Sequence, residues 1–216
     1  PFPLVLITAI GVATFLYPFF LPAVAGIGER PVRGGIEIPL VFSALGAACL
    51  LVLLLDMQGR AGMGDRGASK MVALLGMLVA VDATLRLVPT LLGASPIFLL
   101  IILVGYAYGA QLGFLMGALT LFVSALITGG LGPWLPYQML GAGWIGMTAG
   151  WLPRRGESGS RSELVMLAVF GGLWGLLYGG ILNLMEWPFA APGLGERAGL
   201  YWVPGMSFGE TLAAYT

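Results

Sequence analysis

Long apolar runs, separated by short stretches rich in glycine, proline and charged residues, dominate the chain. A helix that crosses a bilayer needs roughly 20 mostly apolar residues, and most of these runs approach that length. The pattern predicts seven helices and the start of an eighth near residue 206. The seven span residues 4–21, 39–55, 71–92, 96–107, 110–128, 136–152 and 164–185.

The composition indicates an all-α integral membrane protein. Of the 216 residues, 58% are hydrophobic and only 9% are charged, whereas soluble domains carry about 25% charge. Zero net charge gives no attraction for nucleic acid. The chain has no His and one Cys, so we expect no metal site and no cofactor.

The sequence at the two ends of the chain allows two further predictions. The first run lacks a basic segment and a cleavage site, so it is expected to be a membrane helix, not a signal peptide. The chain begins without Met and ends shortly after a new apolar segment starts. We therefore expect a piece of a longer protein with its last helix truncated.

The basic residues predict the topology. Segments 58–70 and 153–163 each hold three Lys or Arg residues and are expected to be cytoplasmic. Both segments lie on the same side of the membrane only if an even number of membrane-crossing helices separates them. Residues 96–128 could form one long helix, but an even number requires that they form two. Gly105 and Gly109 are available for the turn between these two helices. The N-terminus is then cytoplasmic.

Glycines about four residues apart mark several predicted helix faces. Residues at this spacing lie on one side of a helix, and rows of small residues let helices approach closely in lipid. They are Gly109, Gly113, Gly117, Gly146, Gly150, Gly172, Gly175 and Gly179.

Four polar residues inside or near the apolar runs are candidates for function. Asp82 and Arg86 are four apart on one face, and each is costly to expose to lipid alone, so they should face the bundle interior. Two roles remain open for these residues: a buried ion pair that fixes the packing of the helices, or a contact between Arg86 and a ligand. Asn183 and Glu186 share a face at the outer end of their helix, where an ordinary helix end with an interfacial Trp is the alternative.

The run GGLGPWLPYQM at residues 129–139 predicts a rigid external cap. Its glycines permit positive φ, and its prolines fix the backbone. We expect Trp134, Tyr137 and Gln138 to present aromatic faces and one amide to a planar ligand, with Trp144 added to the same rim. An interfacial aromatic belt would explain Trp134 and Tyr137 alone.

From residue 75 onward the chain resembles the substrate-binding S components of energy-coupling factor (ECF) vitamin transporters. The resemblance covers residues 78–89, residues 96–150 with their GPW-x-P-x-QM core, and the following Trp- and Asn-bearing helix. It implies a six-helix core at 71–216, incomplete at its C-terminus. Two extra membrane helices at 1–56 and a cytoplasmic loop at 57–70 would precede this core.

The resemblance also implies a function. Such a subunit sits in the prokaryotic plasma membrane, captures a small vitamin or related micronutrient outside, and performs no catalysis. It passes the ligand to a transmembrane coupling subunit driven by two cytoplasmic ATPases. The face that would dock on the coupling subunit is Gly76, Ala80 and Thr84. A membrane-embedded enzyme and a ligand-free structural subunit are the alternatives.

Overall fold

The computed structural model describes residues 4–13, 15, 46, 65–87, 95–131, 134–153 and 160–190. Within these ranges the chain forms six helices and no strand, which confirms an all-α fold for this part. The helices are α1 (Leu4–Ala13), α2 (Asp65–Leu85), α3 (Ile97–Tyr108), α4 (Ala110–Thr128), α5 (Leu135–Ala149) and α6 (Arg161–Ala190). The predicted helix at 39–55 (Gly46 apart), residues 57–64 of the predicted loop, and everything after 190 lie outside the described residues.

Several helix boundaries differ from the sequence prediction. Helix α2 begins at Asp65, so residues 65–70 are helical and not part of a loop, and it ends at Leu85, seven residues before the predicted end at 92. Charged residues mark where an apolar segment stops, but backbone hydrogen bonding continues beyond that point. Helix α5 similarly ends at Ala149, three residues before the predicted end at 152.

A single residue, Gly109, separates α3 from α4. Its φ is 98°, a conformation that residues with a Cβ rarely adopt. The Gly109 N–H donates to the Gly105 carbonyl at 2.9 Å, and the Gly109 carbonyl accepts from Gly113 N–H at 3.0 Å. Residues 97–128 are therefore two helices joined by a tight turn, as the charge parity predicts, and not one long helix.

Helices α3, α4 and α5 pack with their backbones in contact. A Cβ added to Gly146 of α5 would lie 2.9 Å from the Cα of Gly113 in α4, and closer still to its carbonyl oxygen. Gly117 faces the carbonyl of Ala142 in the same way, and Gly105 of α3 faces that of Gly146. The predicted close packing at these glycine rows is confirmed.

The glycines of α6 behave differently. A Cβ added to Gly172, Gly175 or Gly179 would meet no atom within 4 Å in the described part of the chain. Large apolar side chains on this helix are exposed as well, including Leu176 at 78%. The row predicted here therefore has no close neighbour among the described helices.

Helix α5 is the centre of the bundle. All 15 of its residues are buried except Gln138 and Thr148, which are partly exposed. Helix α1 covers one side of it: a Cβ on Gly11 would lie 2.8 Å from the Trp144 ring, and Thr8 Oγ1 lies 3.8 Å from the Met147 sulfur. Helix α1 is therefore packed onto the core.

Candidate functional site

Two predicted site residues, Arg86 and Gln138, meet although they are 52 positions apart. Arg86 directly follows the last residue of α2, in a turn where Leu87 N–H donates to the Thr84 carbonyl at 3.0 Å. Its Nη2 donates to Oε1 of Gln138, in the first turns of α5, over 3.4 Å. A cation at a helix C-terminus also interacts favourably with the exposed carbonyls there. Arg86 thus lies at the helix end and not within the helix as predicted.

Tyr178 of α6 reaches the same point of α5. Its hydroxyl donates to the main-chain carbonyl of Gln138 at 3.5 Å, and its ring packs edge-on against Phe98 of α3 with centroids 4.9 Å apart. Sequence analysis missed Tyr178 and Phe98, although a hydroxyl inside an apolar helix signals that a partner is needed.

These contacts form one group of polar and aromatic side chains, which we call the Gln138 cluster: Arg86, Phe98, Gln138 and Tyr178. It lies at the end of the bundle where α4 finishes and α5 starts, opposite the Gly109 turn. Four helices contribute to it. The cluster offers a cation, an amide and two aromatic rings, which suits a small polar molecule with a planar part.

The predicted ion pair between Asp82 and Arg86 is not formed in the structure. Asp82 is completely buried, and neither of its carboxylate oxygens has a hydrogen-bond partner within the described residues. Arg86 uses one nitrogen for Gln138, and its other terminal nitrogen, Nη1, is buried without a hydrogen bond. The prediction is wrong because the helix ends between these residues, which lets Arg86 turn toward α5.

The predicted cap is only partly a loop. Gly129 has the expected positive φ of 68°, but α5 already begins at Leu135, so the second half of the run is helical. Trp134, just before the helix, is 40% exposed and available at the rim. Residues 132 and 133 lie outside the described residues.

Tyr137 and Trp144 do not face the Gln138 cluster. They lie on the side of α5 that α1 covers, where Phe15 packs its ring 5.2 Å from that of Tyr137 and 5.3 Å from that of Trp144. Adjacent residues on a helix point about 100° apart, so Tyr137 and Gln138 cannot serve one face. The prediction that Trp144 lies on the external rim is wrong, because it is buried in mid-helix.

Asn183 and Glu186 fall within α6, beyond Tyr178 and toward the same end of the helix as the Gln138 cluster. The structure does not describe their side chains, so their role stays a prediction. A separate open groove of about 610 Å³ runs along α6 near Arg161 and Ser162 and is otherwise lined by apolar side chains. It lies at the opposite end of α6, and Arg161 and Ser162 are the polar residues in its lining.

The predicted docking row lies on a side of α2 that none of the other described helices covers. Gly76, Ala80 and Thr84 are all exposed, and a Cβ on Gly76 meets no described atom within 4 Å. Met77 and Val81 beside the row are also exposed, at 62% and 49%. The opposite side of α2 packs into the core through Leu75 and other buried residues.

Two of the described helices are long and apolar enough to cross a membrane, at Ala110–Thr128 and Arg161–Leu182, and two shorter ones, α1 and α3, are also apolar. The fold and site together define a helical protein with an apolar exterior and a polar cluster at one end. Residues 70–209 match the family described as ECF transporter, substrate-specific component. The chain belongs to this family. No curated protein and no solved structure gave a significant match.

Membership of the family establishes the general role. The chain is a membrane-located transporter subunit, of a kind that binds a substrate and works with a membrane-embedded ECF module. Such subunits are not enzymes. The resemblance identified from the GPW-x-P-x-QM region is thereby confirmed.

Proposed function

We propose that this chain is the substrate-capture subunit of an ECF-type importer and crosses the membrane several times. The N-terminus and the segment 57–70 would be cytoplasmic, and a six-helix core beginning at residue 71 would follow two extra helices at 1–56. The basic segments on either side of the four helices α2 to α5 support this orientation. The Gln138 cluster then faces outward.

The proposed ligand site rests on one observation. Arg86 at the end of α2, Gln138 of α5 and Tyr178 of α6 are joined by hydrogen bonds to the side chain and main chain of Gln138. A guanidinium and an amide held together by packed helices recognise a polar molecule with little loss of freedom on binding. The substrate is a small, water-soluble, vitamin-like compound with a planar part that lies against the aromatic rings. Trp134, Asn183 and Glu186 would complete the rim, whereas Tyr137, which packs against Phe15, would not contact the ligand.

Coupling would occur through the exposed row Gly76, Ala80 and Thr84. Small side chains let a helix of a transmembrane coupling subunit approach the backbone of α2 closely. Two cytoplasmic ATPases bound to that subunit would supply the energy. The exposure of this row in the described bundle supports the proposal.

Mass spectrometry of the purified, washed protein tests the capture role. We expect a small molecule to be retained by the wild type and to bind more weakly to Arg86→Ala and Gln138→Ala, by about 1–3 kcal/mol for each lost hydrogen bond. Trp134→Ala and Asn183→Ala should weaken binding within the same range.

The matched control is Thr148→Val, at the other end of α5. The Thr148 hydroxyl already donates to the Trp144 carbonyl at 2.7 Å, so this change should leave retention unaltered. Equal retention by the control, Arg86→Ala and Gln138→Ala in folded protein would place the site elsewhere. Absence of any bound compound, even after exposure to a metabolite extract, would argue for a ligand-free structural subunit.

A further inference from the structure

Three fully buried polar side chains between α2 and α4 have no hydrogen-bond partner in the described part of the chain. They are Asp82 of α2 and Thr120 and Ser124 of α4, each 0% exposed. Unpaired polar groups in a protein interior are costly, and an unpaired carboxylate costs most. The Gln138 cluster and its contacts with α5 use none of these groups.

The three groups lie on facing sides of two helices. Asp82 lies against the Thr120 hydroxyl without a well-formed hydrogen bond. Ser124 follows Thr120 by four residues, so it shares that face of α4 and lies one turn nearer the Gln138 cluster. Asp82 lies in the last turn of α2, and Arg86 directly follows the end of this helix. The buried oxygens therefore lie near the end of α2 that carries Arg86.

Opposite charges that are close together in a medium of low dielectric constant attract strongly. Asp82 and Arg86 nevertheless remain apart, with Arg86 directed to Gln138. Within the described residues, the Asp82 carboxylate is thus an unpaired acceptor, and Nη1 of Arg86, four positions further along the chain, is an unpaired donor. A molecule with complementary groups would satisfy both and remove the cost of their burial.

We propose that Asp82, assisted by Thr120 and Ser124, is the acceptor half of the binding site. The captured molecule would present a donor to Asp82, as an amine, an amidine or a ring N–H group. About one helical turn, roughly 5 Å, away it would present a carbonyl or carboxylate acceptor to Arg86 and Gln138. This inference rests on the proposed capture function and narrows its substrate class to donor–acceptor molecules.

The test compares stability with binding in the full-length protein. Wild type, Asp82→Leu and Asp82→Asn are each incubated with a methanol extract of bacterial metabolites, and retained compounds are measured by mass spectrometry. Replacing a buried, unpaired carboxylate by leucine removes its desolvation cost, so the thermal midpoint of Asp82→Leu should rise or stay unchanged. Retention of the enriched compound should fall by about tenfold or more, and for Asp82→Asn by about fivefold.

Opposite changes in stability and binding are the signature of a recognition residue, because a purely structural residue would change both together or neither. Thr120→Val should reduce retention by a smaller factor, and Thr148→Val should have no effect. Should Asp82→Leu fail to fold, Asp82→Asn, which keeps the shape, decides the question.

Each negative result of this experiment has a different meaning. If the wild type enriches no compound, the capture function itself is wrong. If it enriches a compound that Arg86→Ala loses but both Asp82 variants retain, the capture function stands and the role of Asp82 is overturned; Asp82 then contacts buried water only. An enriched compound without any N–H or amine donor would also overturn the inference.

Discussion

The contact between Gly146 and Gly113 allows a quantitative prediction for Gly146→Ala. The new methyl group would lie 2.9 Å from the Cα of Gly113 and closer still to its carbonyl oxygen. A backbone oxygen cannot rotate away, so α4 and α5 must separate, by on the order of 1 Å.

The cost follows from the contacts that this separation weakens. A gap of that size forfeits up to about half of each dispersion contact of 0.1–0.2 kcal/mol, so roughly 30 atom pairs at the crossing lose about 2 kcal/mol. Overpacking in cores costs a similar amount, about 1–3 kcal/mol. The better helix propensity of alanine, worth up to about 1 kcal/mol, offsets only part of this loss.

The matched control is Gly172→Ala in α6, where the added methyl meets no described atom within 4 Å. Unfolding of both variants in mixed detergent micelles, followed by circular dichroism, gives the free energy of unfolding. We expect Gly146→Ala to be less stable by about 1–3 kcal/mol and Gly172→Ala to match the wild type or exceed it. Equal stability of the two variants would refute the proposed backbone contact.

Three further predictions test the orientation, the coupling face and the N-terminal helix. Single cysteines replacing Arg60 and Arg154 in a Cys49→Ala background should both resist an impermeant thiol reagent in intact cells; labelling of only one would contradict the even number of crossings. Gly76→Leu should abolish ATP-driven uptake but leave the compound retained by the purified protein, because a bulky side chain blocks close helix approach; joint loss of both would place Gly76 within the bundle. Phe15→Ala removes contacts with two aromatic rings and should lower the free energy of unfolding by about 1–3 kcal/mol, measured as for Gly146→Ala; an unchanged value would mean that the Phe15 ring adds nothing to the core.

The sequence predicted where the helices lie better than it predicted which helices pack against one another. Apolar runs and the Gly109 turn located α3 and α4 closely, because both signals are local. The glycine rows near 113 and 172 look alike in sequence, yet only the first has a partner within the described chain. Spacing defines a helix face, but it does not say which helix, or lipid, covers that face.

The same limit applies to the candidate site. The spacing of Asp82 and Arg86 suggested a pair, but a contact with Gln138, distant in sequence, directs Arg86 elsewhere. Tyr137 and Gln138 are adjacent in the chain and still serve different neighbours, Phe15 and Arg86 respectively. Such choices depend on which helix packs beside which, information that the local pattern does not contain.

The packing of α1 shows that the start of the family match and the start of the packed helical bundle are two different positions in this chain. The family match begins at residue 70, but the surface that encloses α5 begins at Leu4, which is itself buried. A chimera that transplants only the matched region would carry Tyr137 and Trp144 with one side uncovered. The segment that matches the family is thus shorter than the set of helices packed around α5, and exchanges between relatives should include the N-terminal helix.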